Sequence, residues 1–286
     1  MVISFLSVLN ISSHPAGDMI YADRFLAWSY VNPNNMESHH AAVYLMSPNE
    51  EVSILMTSQH AGSDFYMSLF NGKIWYIESW YNHSASTYHL RILSGKMGEK
   101  PTEVWFERSV DKWHIGGNGF YMESDTSLIF AFDGLHRYTK RGSVTPIPST
   151  GADIFNVRES RGHILLQQHD EIYCYNRQME EKQVWQETIL PDLVNPPLNR
   201  NAIFDFDYLN GELLLANWGN SSVDLIKVSG EREFLHQIQL PYTFHLVAFG
   251  DDKIYALASR INPPDSILPR LFIMEDHSQR EINISY

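Results

Sequence analysis

Leu69-Phe70-Asn71-Gly72-Lys73-Ile74-Trp75-Tyr76 reads as two short strands joined by a tight turn. Asn-Gly suits such a hairpin because a type I′ turn requires positive φ at both central residues. The same form returns at Tyr208-Leu209-Asn210-Gly211-Glu212-Leu213-Leu214 and at Ile115-Gly116-Gly117-Asn118-Gly119-Phe120-Tyr121. Weaker versions turn at Asp23-Arg24, at Arg161-Gly162 and around Gly250-Asp251-Asp252.

Anchoring each hairpin at residues 24, 72, 119, 162, 211 and 252 gives steps of 48, 47, 43, 49 and 41 residues. A period of roughly 40–50 residues belongs to four-stranded propeller blades. Within a period, a third strand such as residues 88–93 follows a polar loop. A fourth closes the unit at residues 51–56, 103–106, 182–185 and 233–238. The Met-Glu-Glu-Lys run at 179–182 has helical propensity, but its place in the repeat predicts a strand pair over 176–190. The expectation is an all-β chain forming one β-propeller of six four-stranded blades, a ring with few open edges. The units span approximately 15–57, 62–108, 110–149, 151–190, 200–240 and 242–286, and a strand over 2–9 joins the last blade near residues 280–285.

With their tight turn, second strand ending in an aromatic and third strand of Tyr-x-Leu or Leu-x-x-x type, these units resemble six-bladed propellers of the TolB-like kind. The resemblance covers nearly the whole chain and rests on architecture. There is no WD series, Asp-box, YWTD or repeated kelch glycine pair, and Gly116-Gly117 occurs once. It therefore implies a fold and carries no family function.

Composition agrees with a large folded core: 286 residues, 44% hydrophobic and 13% aromatic, far too apolar for a disordered chain. The net charge of −13 argues against a nucleic-acid or anionic-membrane partner, both of which select basic patches. A lone cysteine, Cys174, excludes an intramolecular disulfide and a multi-cysteine zinc site, and its strand context suggests an inert buried thiol. The apolar start at residues 1–9 lacks the basic flank and small-x-small site of a signal peptide. No stretch approaches the ~20 apolar residues of a membrane helix. Together these point to a soluble, cytoplasmic protein.

Strand parity puts the tight turns on one face of the ring and the inter-blade connections, with the longer second-to-third-strand loops, on the other. Binding residues concentrate on such loops. Five residues before each tight turn, the first strands carry Asp18, Tyr66, Trp113, Asn156, Asp205 and His245, which predicts a polar ring at the loop-rich mouth of the channel. Two residues deeper lie Arg158 and Asp207, on neighbouring blades and expected to pair, since a desolvated charge needs a partner.

Polar residues in a propeller channel often do no more than hold ordered water, and that reading stands beside the functional one. Asp205-x-Asp207 has the oxygens for Ca²⁺, though alternation with Phe204, Phe206 and Tyr208 is equally that of a half-buried strand. Thirteen histidines include no HExxH or His-x-His pair. Trp80 and Trp218 are either stacking platforms for a ligand or inter-blade packing. No G-x-S-x-G elbow, P-loop or dinucleotide fingerprint occurs.

The leading expectation is a non-enzymatic binding or scaffold propeller, without a cofactor, that recognises a protein or small polar ligand on the loop-rich face. The alternative is a carbohydrate-active hydrolase or lyase at the channel mouth. Asp18 and Asp205 would then serve as the carboxyl pair, with His245 or Tyr66 moving a proton.

Overall fold

The computed structural model describes residues 17–32, 34, 39–110, 119–132, 134–147, 154–168, 171–177, 179, 182–185, 203–227, 229–239, 242–260, 269–275, 278–282 and 284. Among them, twenty-four strands form six antiparallel sheets, each taking four consecutive strands in meander order. The first holds β1 (Met19–Ala22), β2 (Phe25–Val31), β3 (Ala41–Met46) and β4 (Val52–Thr57), and the second β5 (Ser63–Phe70), β6 (Lys73–Asn82), β7 (Thr87–Gly95) and β8 (Glu103–Val110). The third is β9 (Phe120–Ser124), β10 (Ser127–Ala131), β11 (Leu135–Thr139) and β12 (Val144–Pro146). The fourth is β13 (Ile154–Ser160), β14 (His163–Gln168), β15 (Glu171–Asn176) and β16 (Lys182–Trp185). The fifth is β17 (Ile203–Leu209), β18 (Glu212–Asn217), β19 (Ser222–Ile226) and β20 (Arg232–Gln237). The sixth is β21 (Tyr242–Phe249), β22 (Ile254–Arg260), β23 (Arg270–Glu275) and β24 (Ser278–Ile282).

These sheets are the blades of a six-bladed β-propeller, with β1, β5, β9, β13, β17 and β21 innermost. Within the 176–190 stretch, Lys182–Trp185 forms β16 and residues 178, 180, 181 and 186–190 lie outside the described residues; no helix of the described residues is long and apolar enough to cross a membrane.

Six buried apolar clusters fill the seams between successive blades. Alternation along each strand sends one set of side chains to the preceding blade and the other set to the next. Trp28 and Tyr44 stack at 5.5 Å beside Leu246 and Leu257 where the sixth blade meets the first. Trp75 and Ile77 meet Phe120 and Met122 between the second and third, and Leu214 and Ala216 meet Phe244 and Val247 between the fifth and sixth. Cys174 is buried in the fourth seam with Phe206 and Leu213, and burial pushes its thiol up to about 11.

The turn chemistry holds at four of the six hairpins. Asp23-Arg24, Asn71-Gly72, Arg161-Gly162 and Asn210-Gly211 all take positive φ at both central residues. The third blade departs from expectation: its first hairpin turns at Asp125-Thr126, between β9 and β10, and not at Asn118-Gly119. Gly119 instead leads into β9, where a Cβ would lie 2.0 Å from the Val157 carbonyl of the fourth blade. Only glycine allows that approach. The sixth sheet is four-stranded through β24, and the 2–9 stretch expected to extend it lies outside the described residues.

An ion network laces the first blade to the last. Glu50 takes a two-pronged bond from Arg280, and Lys253 bridges Glu50 at 3.3 Å and Glu275 at 2.7 Å.

Candidate functional site

Each innermost strand has one edge paired to its own blade and one facing the channel, where main-chain N–H groups need other acceptors. Carboxylates of the preceding blade supply them. Asp18 accepts from Met67 N at 2.7 Å, Asp205 from Val247 N at 2.9 Å, and Asp207 from Phe249 N at 2.8 Å. The acidic positions of the predicted polar ring thus act first as staples between adjacent blades.

Arg158, on β13, crosses the channel. Its Nη1 donates to Asp205 Oδ1 at 2.6 Å on the fifth blade, and its Nη2 donates to the Met19 carbonyl on the first. The predicted partner was Asp207, and the structure corrects this. Asp207 sits nearer the tight turns, where it accepts from Ser160 Oγ, from Tyr208 N at 2.9 Å and from Arg161 Nη1 at 3.2 Å. Arg161 reaches on to the Phe249 carbonyl at 2.6 Å. Its residue is in the left-handed region at φ 48°, a conformation that costs a non-glycine residue about 1–3 kcal/mol and persists where surroundings over-determine it.

The electrostatics follow from this crossbar. Burial pushes the Asp18 carboxyl up to about 7, against the pull of Arg158 and the Met67 N–H. Burial also raises Asp205, with Arg158 pulling it back. Asp207 ends below its usual range: burial opposes ionisation, but Arg158, Arg161, Ser160 and the Phe249 N–H together outweigh it. Arg158 pays the same desolvation and is held protonated by Asp205, Asp207 and Asp18.

At the loop-rich mouth, burial pushes Asp64 up to about 7, tempered by a hydrogen bond from Tyr66. Buried Tyr66 is itself raised by desolvation and by the nearby charges of Asp64 and Asp18. Asn156 stands against the third blade's entry, its Oδ1 2.6 Å from where a Cβ on Gly119 would lie. His245 does not continue the column as a regular strand residue. It is the extra residue of a β-bulge between Phe244 and Leu246, which re-aims it toward Phe204 at 4.9 Å and Trp218 at 6.3 Å. Similar shifts at 154–156 and 203–205 bend the fourth and fifth inner strands at this end. Trp113 lies outside the described residues, and the count that selected it starts from the displaced turn.

Trp80 is no open platform. It lies nearly parallel to His60 at 3.9 Å and to His89 at 5.2 Å; His89 is its cross-strand partner on β7, and His60 precedes β5 on the other side. Beneath this stack, fully buried Glu78 accepts from Ser58 Oγ at 2.6 Å and from Arg91 Nε at 2.8 Å. Trp218 belongs to the seam between the fifth and sixth blades, its carbonyl accepting from Thr243 Oγ1 at 2.7 Å. Both oxygens of the Asp205 and Asp207 carboxylates, whose spacing was weighed for Ca²⁺, accept hydrogen bonds. Among the described residues no cluster of three or more metal-ligating side chains occurs.

On the tight-turn side of the crossbar lies a cavity of about 240 Å³, lined by residues 20–23, 69–72, 158–161 and Asp207. Four blades contribute to it. The turns themselves supply Arg161, Asn71 and Asp23 to its lining. Arg161, Ser160 and Asp64 went unmarked in the sequence as site residues. For Asp64 the signal was a further polar residue two positions above Tyr66 on the same strand face; for Arg161 it was a bulky cation where the equivalent hairpins place Asn or Asp.

No protein-family model matches the chain, and no curated protein matches it. Solved structures resemble it in fold. A luciferin-regenerating enzyme aligns with a TM-score of 0.54 at 11% identity, over 94% of this chain and 94% of that one. Puromycin hydrolase aligns at 0.51 and 11%, over 94% of this chain and 54% of that one. A nidogen/laminin complex aligns at 0.50 and 10%, over 82% and 85%. The chain is thus a six-bladed β-propeller whose structural neighbours include both enzymes and binding proteins.

Proposed function

We propose that this propeller is a binding module that holds a small polar ligand in its channel. The supporting observation is the use made of the inner carboxylates. Asp205 and Asp207 have their oxygens occupied by arginines and main-chain N–H groups. A nucleophile or general base needs an oxygen within reach of its substrate, and carboxylates spent as staples are poorly placed to supply one. Beside the crossbar lies a cavity lined by both polar and apolar residues, the usual make-up of a ligand site. A thermal-shift and calorimetry screen against small polar compounds, run beside a turnover assay on glycosides and lactones, tests the reading. A ligand that binds unchanged is expected; catalytic turnover overturns it.

A second reading, a carbohydrate-active hydrolase or lyase at the loop-rich mouth, draws support from Asp18 and Asp64. Both carboxyls are raised to about 7, the range in which an acid catalyst works at neutral pH. On that reading Asp18→Asn loses turnover on a glycan panel by the 10²–10⁴-fold typical of acid–base groups.

A further inference from the structure

The cavity beneath the crossbar has a chemistry of its own. Its buried charges pair off inside the protein, Arg158 with Asp205 at 2.6 Å, Arg161 with Asp207 at 3.2 Å and Glu159 with Arg177 at 2.7 Å. Among the described residues Asp23 stands without an ion-pair partner at the exposed rim, where a solvated charge adds little attraction. A charged ligand entering here finds no spare counter-charge in the floor, and a desolvated charge without a partner costs more than distant Coulomb attraction returns. Neutral groups meet a different surface. Among the described residues, the side chains of Asn71 and Asp23 make no hydrogen bond, and Arg161 uses Nη1 and Nη2 while its Nε–H has no protein acceptor. Donors and acceptors therefore face the same small space. Ile20, Leu69 and Phe70 give it an apolar wall.

We infer that this cavity binds a neutral polyhydroxylated ligand, a single sugar ring or short polyol, entering from the tight-turn face. The inference rests on the reading of the ring as a binding module and names its site and ligand class. Hydroxyls both donate and accept, which matches a rim offering Asn71 and Asp23 beside the Arg161 Nε–H. The C–H face of a sugar needs an apolar wall, which Leu69 and Phe70 supply. Size agrees: about 240 Å³ is below the ~300 Å³ where drug-sized pockets begin.

Isothermal titration calorimetry tests this with glucose, mannose, ribose, myo-inositol and glycerol, each set against charged counterparts (glucosamine, glucuronate and glycine). Ala22→Phe narrows the cavity, and Asn71→Asp keeps a turn-compatible residue while adding an unpaired negative charge. The expected result is saturable binding of a neutral probe that falls at least tenfold in Ala22→Phe and severalfold in Asn71→Asp, while Trp80→Ala leaves it unchanged. Tighter binding of a charged probe overturns the ligand class. Neutral binding that survives both cavity variants overturns the location and leaves the binding-module reading standing. Should Ala22→Phe fail to fold, Asn71→Asp decides alone. Turnover of a probe overturns the underlying reading, and absence of binding by every probe overturns the inference.

Discussion

Arg158 and Met19 belong to blades on opposite sides of the ring, and the guanidinium of one donates to the main-chain carbonyl of the other. With its bond to Asp205, this side chain ties three blades together at the axis, where a propeller otherwise has only solvent to hold its inner strands apart.

Removing that crossbar strands a buried acid. Arg158→Met is expected to cost about 3–5 kcal/mol, the range for breaking one side of a buried ion pair. Arg158→Met with Asp205→Asn should recover most of the loss, because no lone charge remains and the Asn carboxamide oxygen still accepts from Val247 N. Urea denaturation of the two variants against the parent measures both. A double variant as unstable as the single one contradicts the account.

The raised carboxyl of Asp18 makes stability depend on pH with a definite sign. Its folded value, about 7, stands above the ordinary 3.8, so the folded state holds a proton that the unfolded chain releases. That contribution is complete below pH 3.8 and disappears as the pH rises through 7. Asp18→Asn keeps an acceptor for Met67 N–H and should flatten the fall in denaturation midpoint between pH 4.5 and 8. It should also be more stable than the parent at pH 8.

Asp207 works in the opposite sense. Its carboxylate is held below the usual range, so its contribution is present above pH 3.8 and lost as the pH falls through its lowered folded value. Asp207→Asn removes the charge facing Arg161 and weakens the bonds from Phe249 N and Ser160. A loss of about 1–3 kcal/mol is expected at pH 7. Hydrogen exchange at the Phe249 amide should quicken with it, and protection equal to the parent's counts against the staple.

The seam between first and last blades should be salt-sensitive. Glu50→Gln loosens the bonds to Arg280 and Lys253, which lie near the surface. The expected cost is therefore about 0.2–1 kcal/mol at low ionic strength. Salt near 1 M, where the Debye length is ~3 Å, should shrink the difference. Melting curves in 20 mM and 1 M NaCl give the comparison.

The repeat was readable because its signals are local. Positive-φ turns demand Asn, Asp or Gly within two residues, and Asn71-Gly72 and Asn210-Gly211 announce their hairpins without reference to anything distant. Where the signal was ambiguous the reading slipped: Asn118-Gly119 carries hairpin chemistry, yet Gly119 is needed for close approach to Val157, and the real turn at Asp125-Thr126 has no glycine. Counting back from the turns found Asp18 and Asp205 at the axis but misjudged His245. A bulge changes direction without changing the count.

The amino-acid order by itself determined six hairpin-based units, their four-strand pattern and the acidic inner strands, because turn conformation and strand alternation depend on residues a few positions apart. Only the closed ring decided that Arg158 would pair with Asp205, 47 residues away, and with the Met19 carbonyl, 139 residues away. Those choices depend on which side chain can span the channel once the blades are in place. The same closure brought residues of four blades around one cavity on the tight-turn face, where local sequence shows only turns.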